Sequence, residues 1–78
     1  PNPFNPITKI RYQIPYKSRV AIRIYNILGV ELLSSTVEER EPGIYEFNFN
    51  AESFPSGTYL YIIEACGTVD TKKMILIK

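Results

Sequence analysis

The sequence predicts an all-β domain, a small antiparallel β-sandwich of six to seven strands. Three observations carry this. Apolar and polar residues alternate with a period of two in segment after segment, and no stretch shows a helical period. Turn signals built on Pro and Gly recur roughly every 8–15 residues. Six Tyr and four Phe in 78 residues suit the pleated, half-buried surface of a sheet.

Pro1-Asn2-Pro3-Phe4-Asn5-Pro6 holds three prolines. Proline lacks the backbone N–H and forces its predecessor into extended geometry, so residues 1–6 read as an extended lead-in with Phe4 available to the core. Ile7 to Ile14 alternates, with Thr8, Ile10, Tyr12 and Ile14 on one side and Lys9, Arg11 and Gln13 on the other. Pro15 ends this strand and Tyr16-Lys17-Ser18 turns the chain. Arg19 to Asn26 alternates again, with Val20, Ile22 and Ile24 inward and Arg19, Arg23 and Tyr25 outward. After the break at Leu28-Gly29, Val30 to Val37 is a third, less regular strand, and Glu38 to Gly43 reads as a charged turn punctuated by Pro-Gly. Ile44 to Asn50 sets Tyr45, Phe47 and Phe49 against Glu46 and Asn48. Ala51 to Gly57 is a loop, and Thr58 to Ala65 a strand with Tyr59, Tyr61 and Ile63 on one face. Cys66-Gly67 sits where a two-residue hairpin turn is expected, and Val69 to Ile77 closes the chain. Short strands with such spacing form sandwiches, and the immunoglobulin-like type fits this length.

One domain spanning residues 1–78 is expected. A chain this short buries only about 60–65% of its unfolded surface, enough for one core without a deep pocket. Its stability is expected to be about 3–5 kcal/mol. A net charge of +1 does not favour nucleic acid or an anionic membrane. The apolar runs are too short to span a bilayer, and no export signal opens the chain. Because Pro1 replaces a start Met, the chain reads as a fragment or processed product, with any signal further upstream. Cys66 is the one cysteine, which excludes an intrachain disulfide.

The residues point away from catalysis. No His is present, which removes the usual general base and the commonest metal ligand. Asp70 is the one aspartate, and no calcium-loop spacing or Gly-rich phosphate loop occurs. Glu38, Glu39 and Glu41 cluster beside Pro-Gly and read as a solvated acidic turn before they read as a metal site. Cys66 lacks a base to lower its pKa and reads as a tolerated turn residue. The rows Tyr45, Phe47, Phe49 and Tyr59, Tyr61 fit core packing better than a sugar-stacking platform, and Tyr16 and Tyr25 are the better candidates for exposure. Lys72, Lys73 and Lys78 near the end form either an interaction patch or a guard on an exposed strand edge. Asn2-Pro3 and Asn5-Pro6 fit a stiff linker better than a recognition segment. The chemistry implies neither cofactor nor metal.

Pro1-Asn2-Pro3-Phe4-Asn5-Pro6 leading into Ile7-Thr8-Lys9-Ile10 resembles the opening of the C-terminal sorting domains of the type IX (Por) secretion system. Val20 to Asn26 followed by Ile27-Leu28-Gly29-Val30-Glu31 is similar to their stretch v-x-l-x-v-y-d-x-x-G-r-e, and Ser56-Gly57-Thr58-Tyr59-Leu60-Tyr61 to their s-G-x-Y-x-y. Thr71 to Lys78 resembles their basic-apolar ending. The matches run in order over almost the whole chain. An immunoglobulin-like domain of the flagellar hook-capping protein shares much of the pattern.

The resemblance implies a non-catalytic signal at the C-terminus of a larger exported protein. The outer-membrane secretion machinery would recognise it, and a sortase-like peptidase would remove it upstream of Pro1. The cargo would then be secreted or anchored at the cell surface. It assigns Lys72, Lys73 and Lys78 to the recognition tail and Pro1, Asn2 and Pro3 to the entry strand. It gives Gly29, Gly43, Gly57 and Tyr59 the task of holding the fold. Relatives carry Trp near the end of the strand that here finishes Phe47-Asn48-Phe49-Asn50, so Phe49 is expected to fill that core position. Cys66 stands where relatives often have Gly or Asn. Two other readings remain, an accessory carbohydrate-binding module and a structural module of a larger secreted enzyme. A free edge strand would also allow a homodimer by strand addition.

Overall fold

The computed structural model describes residues 7–78; the lead-in 1–6, with Pro1, Asn2, Pro3 and Phe4, lies outside them. Six strands follow one another: β1 (Ile7–Ile14), β2 (Ser18–Asn26), β3 (Glu31–Arg40), β4 (Gly43–Asn50), β5 (Gly57–Ala65) and β6 (Thr68–Leu76). They form two antiparallel sheets, a pair β1-β4 and a four-stranded sheet in the order β3-β2-β5-β6. This is the small immunoglobulin-like sandwich predicted from the period of two.

The alternation decides what lies between the sheets. Ile10, Ile14 and Phe49 of the pair meet Val20, Ile22, Ile24, Tyr59, Ile63, Met74 and Leu76 of the larger sheet. Full burial of a side chain of this size contributes about 1.5–3 kcal/mol. Phe49 and Ile24 are completely buried. Phe49 stacks on Phe54 with ring centroids 5.4 Å apart, and Phe54 meets Tyr59 edge-on at 6.4 Å. The loop after β4 therefore plugs one end of the core, anchored on Phe49.

β3 departs from the prediction at both ends. Val30 belongs to the preceding turn, and the strand continues through Glu38, Glu39 and Arg40, which were expected to turn. The ladder holds them there, because Ser18 of β2 pairs with Arg40. Lys17 lies 3.4 Å from Glu39 and 3.7 Å from Glu41, and Arg19 lies 3.7 Å from Glu38. A charged run suits an edge strand as well as it suits a turn. The irregular period of β3 has its cause in register shifts between Ser18 and Val20 and between Ile24 and Tyr25, where β3 carries the extra residue.

Two turns need positive φ. Gly29 has φ +82° in the β2–β3 connection. The Asn26 side-chain oxygen accepts there from the Leu28 and Val30 amides at 2.9 and 3.0 Å, which fixes the turn although Ile27, Leu28 and Val30 are exposed. In the β5–β6 hairpin both central residues, Cys66 at +52° and Gly67 at +72°, have positive φ, the pattern of a type I′ turn.

Candidate recognition surfaces along the last strand

Among the described strands β6 is an edge strand, with β5 as its one neighbour. Its ladder runs from Thr68 opposite Ala65 to Leu76 opposite Gly57. Met74 and Leu76 are buried, whereas Thr68 to Lys73 are all exposed. The first two-thirds of the strand therefore offers backbone and side chains to solvent.

Strand geometry separates the three lysines. Successive side chains point to opposite faces, so Lys72 shares the inner face with Met74 and lies opposite Tyr61. Lys73 lies opposite Leu60 on the outer face, between exposed Thr71 and exposed Ile75. Lys78 lies beyond the strand. Its amide donates to the Ser56 hydroxyl at 3.0 Å, and its ammonium donates to the Glu52 carbonyl at 2.7 Å. Continuing past the ladder, Lys78 thus lies against the β4–β5 loop, away from the other two lysines.

The outer face of the larger sheet carries an ion pair at its middle. Arg23 of β2 bonds Glu64 of β5, and Glu31 lies 3.9 Å from the Arg23 Nε. The hydrogen bond to Glu64, and then the Glu64 charge, raise the Arg23 pKa above its ordinary value. Tyr25 is half-buried beside this pair, with its hydroxyl 3.5 Å from the Glu31 carboxylate, and is less exposed than its outward position suggested. Tyr16 is exposed as expected, and its hydroxyl donates to the Cys66 carbonyl at 2.8 Å. The Cys66 thiol in turn donates to the Tyr16 carbonyl at 3.2 Å. That thiol is half-buried in a turn.

The aromatic rows face the core. Phe49 and Tyr59 are buried, and Tyr12, Tyr45, Phe47 and Tyr61 pack against the core from the flanks. Tyr12 and Tyr45 stack at 5.7 Å across the β1-β4 pair. The described strands thus present no flat, free row of rings for a sugar. Gly43 and Gly57 each stand two residues before a tyrosine whose ring lies over the glycine; the gap to an added Cβ would be 3.5 and 4.0 Å.

One feature went unnoticed in the sequence. A cleft of about 530 Å³ opens between β1 and the inner face of β6, lined by Arg11 and Tyr12 on one wall and by Asp70 and Lys72 on the other, with Tyr61 and Ile63 as its floor. The signal was present. Thr68, Asp70 and Lys72 are polar residues in phase with buried Met74 and Leu76, so the core face of β6 turns polar halfway along the strand.

A family model described as a secretion system C-terminal sorting domain matches residues 1–78. No curated protein and no solved structure matches the chain.

Proposed function

The chain belongs to the secretion system C-terminal sorting domain family, and on that premise we propose that the outer-membrane machinery reads the folded domain along β6 before a sortase-like peptidase removes it. As a type IX sorting domain the chain is a signal attached to a preceding cargo, and it directs that cargo across the outer membrane to the cell surface or the medium. The finer steps are the proposal. Cleavage would fall upstream of Pro1, and the released cargo would be anchored at the surface.

One observation carries the assignment to β6. Among the described strands it is an edge strand, and its first six residues are exposed on both faces, so backbone and side chains are accessible together. Unpaired strand edges are ready templates for another chain. Lys72 and Lys73 would supply charge on opposite faces, and Lys78 would act beside the β4–β5 loop. Pro1, Asn2 and Pro3 would form the entry from the cargo. Gly29, Gly43, Gly57 and Tyr59 would keep the domain in the shape that is read. The same edges make strand addition the expected route to a homodimer, which light scattering over a concentration series would reveal.

The test is a fusion of all 78 residues to the C-terminus of a periplasm-targeted fluorescent reporter, in a bacterium that carries the type IX machinery. Reporter at the surface or in the medium, shortened by the tag, is expected. Export that persists after deletion from Thr71 onward would remove β6 from the mechanism. Export of the intact fusion, with the tag retained, would remove the peptidase step.

A further inference from the structure

The two sheets are unequal, and the shortfall has a place. Four strands lie in one sheet and two in the other. β4 occupies one edge of β1, and no described strand occupies the opposite edge. The cleft beside β1 is lined by residues of β1, β5 and β6 and of the turns after β1 and after β5, and by no residue of β2, β3 or β4. It therefore lies on the free side of β1. There the inner row Thr68, Asp70 and Lys72 stays exposed because the short sheet ends before it reaches β6.

We propose that this cleft receives one extended segment of a partner polypeptide, which adds to the free edge of β1 and completes a three-stranded sheet over β6. The inference goes beyond the sorting function and does not depend on how the domain is exported.

Three properties define the occupant. The amides and carbonyls on this edge of β1, which no described strand pairs, call for an extended backbone, since strand addition satisfies them with main-chain bonds that no compact ligand reproduces. The floor is Tyr61 and Ile63, with Tyr12 beside it, so alternate side chains of the segment must be apolar. The outward row of β1 is Lys9, Arg11 and Gln13, all exposed, and neither Lys9 nor Arg11 forms an ion pair among the described residues. Side chains directly across from them on an added strand would be favoured by negative charge. The partner segment is thus an extended strand with apolar residues inward and carboxylates outward.

The probe is the peptide acetyl-Thr-Val-Glu-Val-Glu-Val-Thr-amide, titrated into the uniformly 15N-labelled 78-residue chain. Its control is acetyl-Thr-Val-Glu-Pro-Glu-Val-Thr-amide, in which proline removes a strand donor. Expected are shift changes in Lys9 to Gln13 and in Tyr61, Asp70 and Lys72, with slowed amide exchange within β1. The dissociation constant should lie below about 1 mM and the proline peptide should fail to bind. The double substitution Lys9→Gln, Arg11→Gln should weaken binding by about three- to tenfold, as the loss of two exposed charge pairs requires. Equal binding of the proline peptide, changes confined to β3 or the outer face of β6, or no binding at all would each overturn the proposal. So would β1 amides that are protected in the free chain and lose protection when residues 1–6 are deleted, because the slot would then belong to the chain's own lead-in.

Discussion

The Tyr59 hydroxyl donates to the Pro55 carbonyl four residues earlier at 2.6 Å, and Tyr45 repeats the arrangement on the Glu41 carbonyl at 2.6 Å. Each tyrosine follows the pattern Gly-x-Tyr at the start of a strand and ties that strand to the turn before it. The two bonds differ in solvation. Tyr59 is buried and its bond half-buried, whereas the Tyr45 bond is exposed. Tyr59→Phe should cost about 1–2 kcal/mol, because the Pro55 carbonyl loses its partner where water replaces it poorly. Tyr45→Phe should cost about 0.5 kcal/mol. Urea midpoints of the two variants check the order, and equal losses would contradict it.

Phe49 carries more of the fold than any hydrogen bond. It is completely buried, lies opposite Thr8 in the β1-β4 ladder and stacks on Phe54. Phe49→Ala should cost about 3–5 kcal/mol through lost transfer energy and a cavity. That equals the whole stability expected for a core of this size, about 3–5 kcal/mol. The variant should therefore be largely unfolded at room temperature by amide dispersion in NMR. Phe49→Leu should fold, with a loss of about 1–2 kcal/mol. A folded, cooperative Phe49→Ala domain would show that the Phe54 loop closes over the gap.

Cys66 is the one described non-glycine residue with positive φ, at +52°, in a turn that favours Asn before Gly. Its thiol gives only a weak hydrogen bond to the Tyr16 carbonyl, while its amide bond to the Ser18 hydroxyl is independent of the side chain. Cys66→Asn should stabilise the domain by about 0.5–1 kcal/mol, since Asn tolerates the left-handed region. For a domain of this length that is a rise of about 4 °C in Tm. A fall in Tm would show that the thiol contact outweighs the backbone strain.

The parts of the fold legible in the sequence are those where one face is wet. Lys9, Arg11 and Gln13 alternating with Ile10, Tyr12 and Ile14 leave no doubt about which side of β1 is buried, and β4 follows the same logic. The end of β3 was not legible, because Glu38, Glu39 and Arg40 satisfy an edge strand and a turn equally; what decides is Lys17 and Arg19 on the neighbouring segment, long-range information absent from a local pattern. The three terminal lysines looked like one patch because they are near in sequence. Pleating places Lys72 and Lys73 on opposite faces, and the Ser56 and Glu52 contacts draw Lys78 elsewhere. The cleft depends on which edge of β1 no described strand pairs, a property of strand order that no single segment reveals.

That separation makes the recognition of β6 resolvable residue by residue. Lys72 and Lys73 are both exposed, so Lys72→Glu and Lys73→Glu should each change stability by no more than about 0.5 kcal/mol. Lys78→Met should cost little more, since its bond to the Glu52 carbonyl is exposed. Differences in export among the three variants would then report contact with the machinery and not loss of fold. Lys73 stands on the outer face beside Leu60 and Ile75, which are exposed apolar neighbours and suit a partner surface that is part apolar and part acidic. Lys72 faces the cleft, and the Lys78 ammonium is already engaged. The expected result is a severalfold loss of surface reporter for Lys73→Glu, with Lys78→Met close to the parent sequence. A loss for Lys72→Glu alone would move recognition from the outer face to the cleft. Unchanged export for all three, with the domain folded by circular dichroism, would mean that the machinery reads the backbone edge of β6 and not its charges.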